Sequence, residues 1–373
     1  MASWLVSLAG VVTMVPVLKS GVDARGHSAG GNLPRHSQSV GQSALLLAFA
    51  LLGLLATPAW AVNCTSQGEM QPADRDALIA AGNPIAGAVA AQNFDLLQAS
   101  LLSSITGDWD SIRGVAQGAA PVLKGGQLQW RNLYLLDASD LKGPADTQFF
   151  CTNADSSMTV TVDLHALPQG KYALLIGDYP GSPLAGQLAL ILAADSAAGG
   201  KWKLGGLFVR EGSLEGHDGV WYWTQARALG QKNADQKAAG WSAWFSYDTA
   251  RWLLLPVDFM STPNLEKLNR EQMQLKASPL DSLPITVSGD GGKSWRVTAL
   301  HLDTTLHTAD LALTYEGTGL TEPAAARAEA ILVMSALLKL HPELRESFHG
   351  LWAYAETDGK RSYAIELAMH DIP

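Results

Sequence analysis

The spacing of apolar residues along the chain alternates between a helical and a strand-like period. Over residues 71–123 it is helical, with Ile85, Val89 and Phe94 at helical intervals. From Gln127 the period becomes two, and breakers such as Pro180-Gly181 separate the apolar segments. This pattern predicts strands over residues 148–152, 158–164, 172–178, 187–194 and 202–210. Helices followed by an antiparallel meander indicate an α+β domain over residues 62–212.

A second helical stretch, residues 213–279, holds five of the twelve tryptophans. One helix is predicted from Val220 to about Gln231, and another from Trp241 to Leu255, where Pro256 ends it. The second helix has two apolar faces. One face carries Ala243, Tyr247, Ala250 and Leu254, and the other carries Trp241, Trp244, Phe245 and Trp252. We therefore expect a Trp-rich helical hairpin that connects two domains.

The last segment, residues 280–373, is predicted to be a two-layer α+β domain. Its pattern favours strands over residues 284–287, 294–302 and 309–315, a helix over 321–340, and a hairpin around Asp358-Gly359. The fold class predicted for the whole chain is therefore α+β, with helices packed on a curved antiparallel sheet in the first domain.

The first domain resembles the nuclear transport factor 2-like group in its order of elements and in its closing strand, residues 200–209. The resemblance implies helices that cover the concave face of a bent sheet, with a pocket between them. Enzymes and binding modules both occur in this group, so the resemblance does not choose a function.

Three shorter resemblances concern the rest of the chain. The second helix of the hairpin, with Pro256 just after it, is similar to one tetratricopeptide unit, whereas an array needs about three or more. Residues 288–295 match the Asp-box pattern of sialidase-like propellers, which implies a non-catalytic hairpin turn with Trp295 packed beneath it. Residues 341–355 and 360–369 resemble uncharacterised secreted proteins of environmental bacteria.

An uncharged apolar run, residues 44–56, precedes Pro58 and the small-x-small tripeptide that ends at Ala61. The run is shorter than the roughly 20 residues of a membrane span. We predict a signal peptide over residues 1–61 with cleavage after Ala61, and a secreted or periplasmic bacterial protein. The first 43 residues are long for a leader. Either translation begins near Leu33 or Val40, or residues 4–18 form a second, signal-like anchor.

The charge of the chain narrows the classes of partner. Residues 1–61 hold three of the 26 basic and one of the 35 acidic side chains, so the predicted mature chain has a net charge of −11. Nucleic acid is excluded as a partner, because phosphates require clustered Lys and Arg. We also expect no membrane span in the mature chain.

Both cysteines, Cys64 and Cys151, fall in the predicted mature chain. In an oxidising compartment two such thiols pair more often than they stay free. We predict a disulfide that tethers the new N-terminus to the strand around Phe149.

Candidate chemistry is sparse. His301, Asp303 and His307 share a strand parity that would suit a metal, but the threonines between them favour a turn that scatters them. The predicted C-terminal hairpin carries several groups that could act as acid and base, or that simply form its wet face. They are His349, Tyr354, Glu356, Arg361, Tyr363 and Glu366. Nucleophile-elbow, phosphate-loop and zinc-cysteine motifs are missing from the sequence, so we predict no cofactor, no metal and no identified catalytic residue.

The tryptophans of the hairpin give the sharper hypothesis. An aromatic ledge of Trp221, Trp223, Trp241, Trp244 and Trp252 would bind a flat apolar or extended ligand. Core packing between the two flanking domains explains the same residues without a ligand.

Two functional hypotheses follow. The first is a non-catalytic binding or assembly module of the cell envelope, with a protein, peptide or carbohydrate partner. The alternative is a hydrolase or isomerase with an acid/base pocket between the helices and sheet of residues 71–211. An empty polar pocket there would favour the enzyme, and a filled core would oppose it.

Overall fold

The computed structural model describes residues 62–232, 240–275 and 278–373. Helices mix with antiparallel sheets over these residues, which confirms the α+β class. The predicted signal peptide, residues 1–61, lies outside the described residues. Within them, no helix is both long and apolar enough to cross a bilayer.

The helices, numbered along the chain, are α1 (Pro72–Ala90), α2 (Phe94–Ala99), α3 (Trp109–Leu123), α4 (Gly219–Lys232), α5 (Gly240–Leu254), α6 (Pro263–Met273), α7 (Pro279–Ser282) and α8 (Pro323–Leu340). The strands of the N-terminal part are β1 (Asn63–Ser66), β2 (Gln129–Ala138), β3 (Ala145–Thr152), β4 (Thr159–Leu167), β5 (Gly170–Asp178), β6 (Gln187–Asp195) and β7 (Lys201–Arg210). The later strands are β8 (Ser213–Leu214), β9 (His217–Asp218), β10 (Met260–Ser261), β11 (Ile285–Ser288), β12 (Ser294–Asp303), β13 (Asp310–Glu316), β14 (Gly350–Thr357) and β15 (Lys360–Ala368).

The N-terminal part is built on a five-stranded antiparallel sheet in the order β1-β2-β5-β6-β7. Helices α1 and α3 pack on one face of this sheet. Leu78 and Ile112 from these helices share a buried apolar cluster with Leu175 and Leu190 from the strands. Apolar side chains therefore fill the space between helices and sheet.

The opposite face of that sheet is covered by a second sheet, in the order β10-β4-β3. Phe149 and Val162 from the second sheet share a buried cluster with Leu174 and Ile176 from the first. The sequence analysis expected a single bent sheet. A physical reason for the second one is visible in β6, since its apolar run is buried on both faces and needs cover on each side. The resemblance to the nuclear transport factor 2-like group stays a prediction.

A disulfide joins Cys64 to Cys151, with the two Cα atoms 5.3 Å apart, and confirms the predicted pairing. It links β1, an edge strand of the first sheet, to β3, an edge strand of the second. The covalent bond therefore holds the two sheets together at one side.

Helix α5 contacts two different cores, as its two apolar faces predict. Tyr247 and Ala250 pack in a cluster with Leu214, whereas Trp244 and Phe245 belong to the core of the C-terminal part. Trp252 differs from the prediction, because it lies beside the first of these clusters rather than the second. The domain boundaries after residues 212 and 279 stay predictions.

The C-terminal part is a five-stranded sheet in the order β11-β12-β13-β14-β15. Strands β13 and β14 are parallel, and α8 lies between them in the sequence, so it forms the crossover. Helix α8 packs on the inner face, where Val333 and Leu337 meet Leu313 and Leu351. The Asp-box-like segment forms the turn between β11 and β12, and Trp295 is buried beside it.

Candidate functional site

The outer face of the C-terminal sheet, on the side away from α8, carries polar and aromatic side chains from four strands, β12 to β15. Strand alternation and register place them there together. In one row Asp303 pairs with Asp310, and Asp310 pairs with Gly350. In the next row His301, Ala312, Trp352 and Glu366 lie side by side. We call this surface the outer face; it is defined by His301, Asp303, Asp310, His349, Trp352, Tyr354 and Glu366.

Two carboxylates and an imidazole converge at one end of the outer face. One ligand atom each from Asp310, His349 and Glu366 lies within 4.8 Å of the other two. Asp310 is fully buried, whereas the His349 side chain is 47% exposed. His349 Nδ1 lies 3.3 Å from Asp310 Oδ1, and Trp352 Nε1 donates to Asp310 Oδ2 at 3.3 Å. The cluster therefore has a buried carboxyl group, that of Asp310, at its bottom, and it opens to solvent at the His349 imidazole.

Gly350 makes room for these two carboxylates. A Cβ at this position would lie 2.5 Å from Glu366 Oε1 and 3.0 Å from Asp310 Oδ1. The shorter of these distances is closer than real Cβ atoms come, so a side chain at position 350 would require Glu366 to move. Glycine at position 350 therefore lets the Asp310 and Glu366 side chains approach each other over the backbone of β14.

The environment of the cluster changes the proton affinity of Glu366. Partial burial raises the pKa of its carboxyl, and the neighbouring Asp310 carboxylate raises it further. Glu366 thus keeps its proton to a higher pH than an exposed glutamate does. A protonated Glu366 can donate a hydrogen bond or a proton.

Three rings lie in a row beside the carboxylates. The ring planes of Trp352 and Tyr354 are within 11° of parallel at 5.8 Å, and those of Tyr354 and His301 are within 5° at 6.4 Å. Tyr354 Oη donates to Asp303 Oδ2 at 3.0 Å, and Arg361 lies 3.9 Å above the tyrosine ring. Burial raises the pKa of Tyr354 and lowers that of His301. The row therefore presents neutral rings, with the half-buried Trp352 next to Asp310 and Glu366.

Some residues of the two predicted candidate sets lie on the outer face, and others do not. His301 and Asp303 reach the outer face, but His307 lies in the turn after β12 and pairs with Glu211 at 2.7 Å, so the three do not converge. Of the hairpin groups, His349, Tyr354 and Glu366 come together on the outer face. Tyr363 instead packs against the core on the inner side. Glu356 and Arg361 are neighbours in the register at the far end of the hairpin, and the Arg361 guanidinium lies over the Tyr354 ring.

Sequence reasoning missed Asp310 and Trp352, the two residues that link the carboxylates to the rings. Alternation along residues 350–354 places Trp352 and Tyr354 on one face, which could have indicated the aromatic row. The position of Asp310 depends on the parallel pairing of β13 with β14, and no local pattern signals that pairing.

The five tryptophans of the predicted ledge have separate surroundings. Trp241 and Trp244 are buried in the C-terminal core, and Trp241 stacks on His341 at 3.7 Å. Trp223 Nε1 donates to Glu271 at 2.7 Å, Trp252 Nε1 donates to Glu211 at 3.3 Å, and Trp221 stacks on His217 at 3.7 Å. Ligand binding by these five residues stays a prediction, but all five already make contacts within the fold.

No protein-family model, curated protein or solved structure matches this chain. The geometry of the outer face is therefore the guide to its function.

Proposed function

We propose that this protein is a secreted or periplasmic binding module that binds a carbohydrate on the outer face and does not catalyse a reaction on it. The observation that carries the proposal is the half-buried indole of Trp352 flanked by two carboxylates. Trp352 pairs directly with Glu366 across the hairpin and donates to Asp310. A sugar ring offers an apolar face that stacks on an indole and hydroxyl groups that donate to carboxylates at its edge.

Two further features support this assignment. The signal-like leader and the Cys64–Cys151 bond both suit an oxidising envelope compartment. The space between the helices and sheet of residues 71–211 is filled by apolar side chains, which opposes an acid/base pocket at that place. N-terminal sequencing of native material from fractionated cells tests the location, with Val62 expected as the first residue.

Titration of the purified protein with a panel of oligosaccharides, followed by tryptophan fluorescence and calorimetry, tests the binding function. We expect Trp352→Ala to weaken binding about tenfold, because loss of an aromatic stacking contact costs about 1.5 kcal/mol. Trp352→Phe keeps a ring and should retain most of the affinity. Trp109→Phe, a half-buried tryptophan on the first core, is the matched control.

Three results would contradict the proposal. They are no response to any sugar, binding of peptides alone, and loss of binding in Trp221→Ala but not in Trp352→Ala. The last result would move the site to the helical hairpin.

A hydrolase is the second candidate, and one observation favours it. Asp310 and Glu366 form a close carboxylate pair, and the raised pKa of Glu366 favours a proton on that member. Such a pair could act as base and acid at a bound sugar. Release of shorter oligosaccharides by the wild type, but not by Glu366→Gln, would establish turnover and replace the binding-only function.

A further inference from the structure

The cluster at the end of the outer face has the donor set of a metal site. Asp310 begins β13, His349 directly precedes β14, and Glu366 lies in β15, so three separate chain segments bring their ligand atoms within 4.8 Å. Ligands of one metal ion at about 2.0–2.2 Å lie up to roughly 4.3 Å apart, so only small side-chain movements separate this arrangement from coordination.

The negative charge of the cluster has little compensation from the protein. Among the described residues, neither Asp310 nor Glu366 forms an ion pair with a lysine or an arginine. The side chains on the Asp310 oxygens are the partly exposed His349 and the neutral indole of Trp352. Asp310 is fully buried, and a buried carboxylate is costly unless a cation or several strong donors face it. A bound cation would supply the missing charge.

The surroundings of the cluster fit an ion as well. Gly350 carries no side chain, so the carboxylates of Asp310 and Glu366 both reach over its Cα, where a Cβ would lie 3.0 Å and 2.5 Å from their oxygens. Trp352 Nε1 donates to the second oxygen of Asp310, which is the kind of outer hydrogen bond that orients a carboxylate ligand. The exposure of His349 leaves coordination positions for water.

We propose that Asp310, His349 and Glu366 bind one divalent transition-metal ion, zinc or manganese, with water completing the coordination. The imidazole is the reason for this class of metal, since calcium and magnesium prefer sites made of oxygen ligands alone. The metal is a second ligand of the outer face, and the inference holds whether or not a carbohydrate binds there.

Calorimetric titration of the full chain, purified with chelator and then freed of it, tests the site with ZnCl₂ and with MnCl₂ alone. We expect one equivalent to bind to the wild type, and Glu366→Gln or His349→Ala to weaken binding at least about 100-fold. Asp310→Asn should do the same, but Asp310 is buried, so the two less buried positions keep the test valid if that variant fails to fold. Glu356→Gln is the control, because it lies on the same hairpin about 20 Å along the strand from Gly350.

Titration with cobalt adds a spectroscopic readout that reports on the metal's own ligands rather than on the stability of the fold. Visible d–d absorption should appear in the wild type and disappear in Glu366→Gln. The inference is overturned if neither metal binds, or if binding is unchanged in Glu366→Gln and His349→Ala. Sugar binding that persists in chelator, with no metal binding, would overturn this inference alone. Metal binding without any sugar binding would overturn only the proposed function.

Discussion

Asp248 is a carboxylic acid placed inside the helical part of the molecule. It lies in α5, and Gln272 Nε2 from α6 donates to its Oδ1 at 2.6 Å and to the carbonyl of Trp244 at 3.1 Å. Burial raises the pKa of Asp248 to about 6. The hydrogen bond from Gln272 opposes this rise, but burial outweighs it, so the folded protein favours the protonated form of Asp248.

We predict that Asp248 makes the protein less stable as the pH rises from about 4 to above 6. In this range the unfolded chain loses the proton first, so the folded state binds more protons and the free energy of unfolding falls with pH. Asp248→Asn keeps an acceptor for Gln272 but does not titrate. Urea unfolding at pH 4, 5, 6 and 7 measures the effect. Between pH 4 and pH 7 the free energy of unfolding of the wild type should fall by about 1–3 kcal/mol more than that of this variant. Equal pH slopes in the two proteins would contradict the prediction, and Asp155→Asn, at an exposed turn, is the control.

At the scale of elements, two glutamates bind the turn between β12 and β13, one directly after β7 and the other in the turn between β8 and β9. Glu211 accepts from His307 Nδ1 at 2.7 Å and from Trp252 Nε1 at 3.3 Å, and Glu215 accepts from the backbone N–H of Ala309 at 3.1 Å. The turn leads directly into Asp310. These contacts therefore help to position the first residue of the carboxylate cluster.

We predict that the His307–Glu211 contact weakens as the pH rises from 6 to 8. The hydrogen bond to Glu211 raises the pKa of His307, so the stabilisation is complete below the ordinary histidine pKa and is lost as the pH passes through the raised value. In thermal unfolding, the free energy of unfolding of the wild type should fall by about 1 kcal/mol between pH 6 and pH 8. The fall should be smaller in His307→Gln. His165→Gln, which removes an exposed histidine, should behave like the wild type.

The elements themselves were largely predictable, and their partners were less so. Helices α4, α5 and α8 and most strands lie within a few residues of the ranges that periodicity and breakers predict. The separate sheet of β3 and β4 was missed, although the uninterrupted apolar run of β6 is the signal of a strand covered on both faces. Periodicity identifies a strand, but it does not say which neighbour the strand pairs with.

For the molecule as a whole, the disulfide is the covalent constraint between its two N-terminal sheets. It closes a loop with a sequence separation of 87 residues. We predict that the double variant Cys64→Ser/Cys151→Ser lowers the free energy of unfolding by about 2–5 kcal/mol, chiefly because its unfolded chain is less restricted. Urea unfolding measures the difference. Reductant should lower the stability of the wild type towards that of the variant and leave the variant unchanged. Equal stability of the oxidised wild type and the variant would refute the prediction.

The candidate site was only half predictable for a reason that lies at this largest scale. Sequence reasoning named His349, Tyr354 and Glu366 because a hairpin brings nearby residues together through a short turn. Asp310 lies 39 residues before His349, and a long helix separates them. Asp310 and His349 become neighbours only because β14 pairs with β13 after the α8 crossover.

The parallel pairing of β14 with β13 also affects the order in which the parts of the outer face can form during folding. Pairing across the α8 crossover is a non-local contact, and such contacts cost more chain entropy to close than a hairpin does. Asp310 and His349 therefore become neighbours only when the crossover is complete, whereas β14 and β15 can pair earlier. A ligand held by both residues would bind the folded chain in preference to the unfolded one, and would therefore stabilise it by mass action.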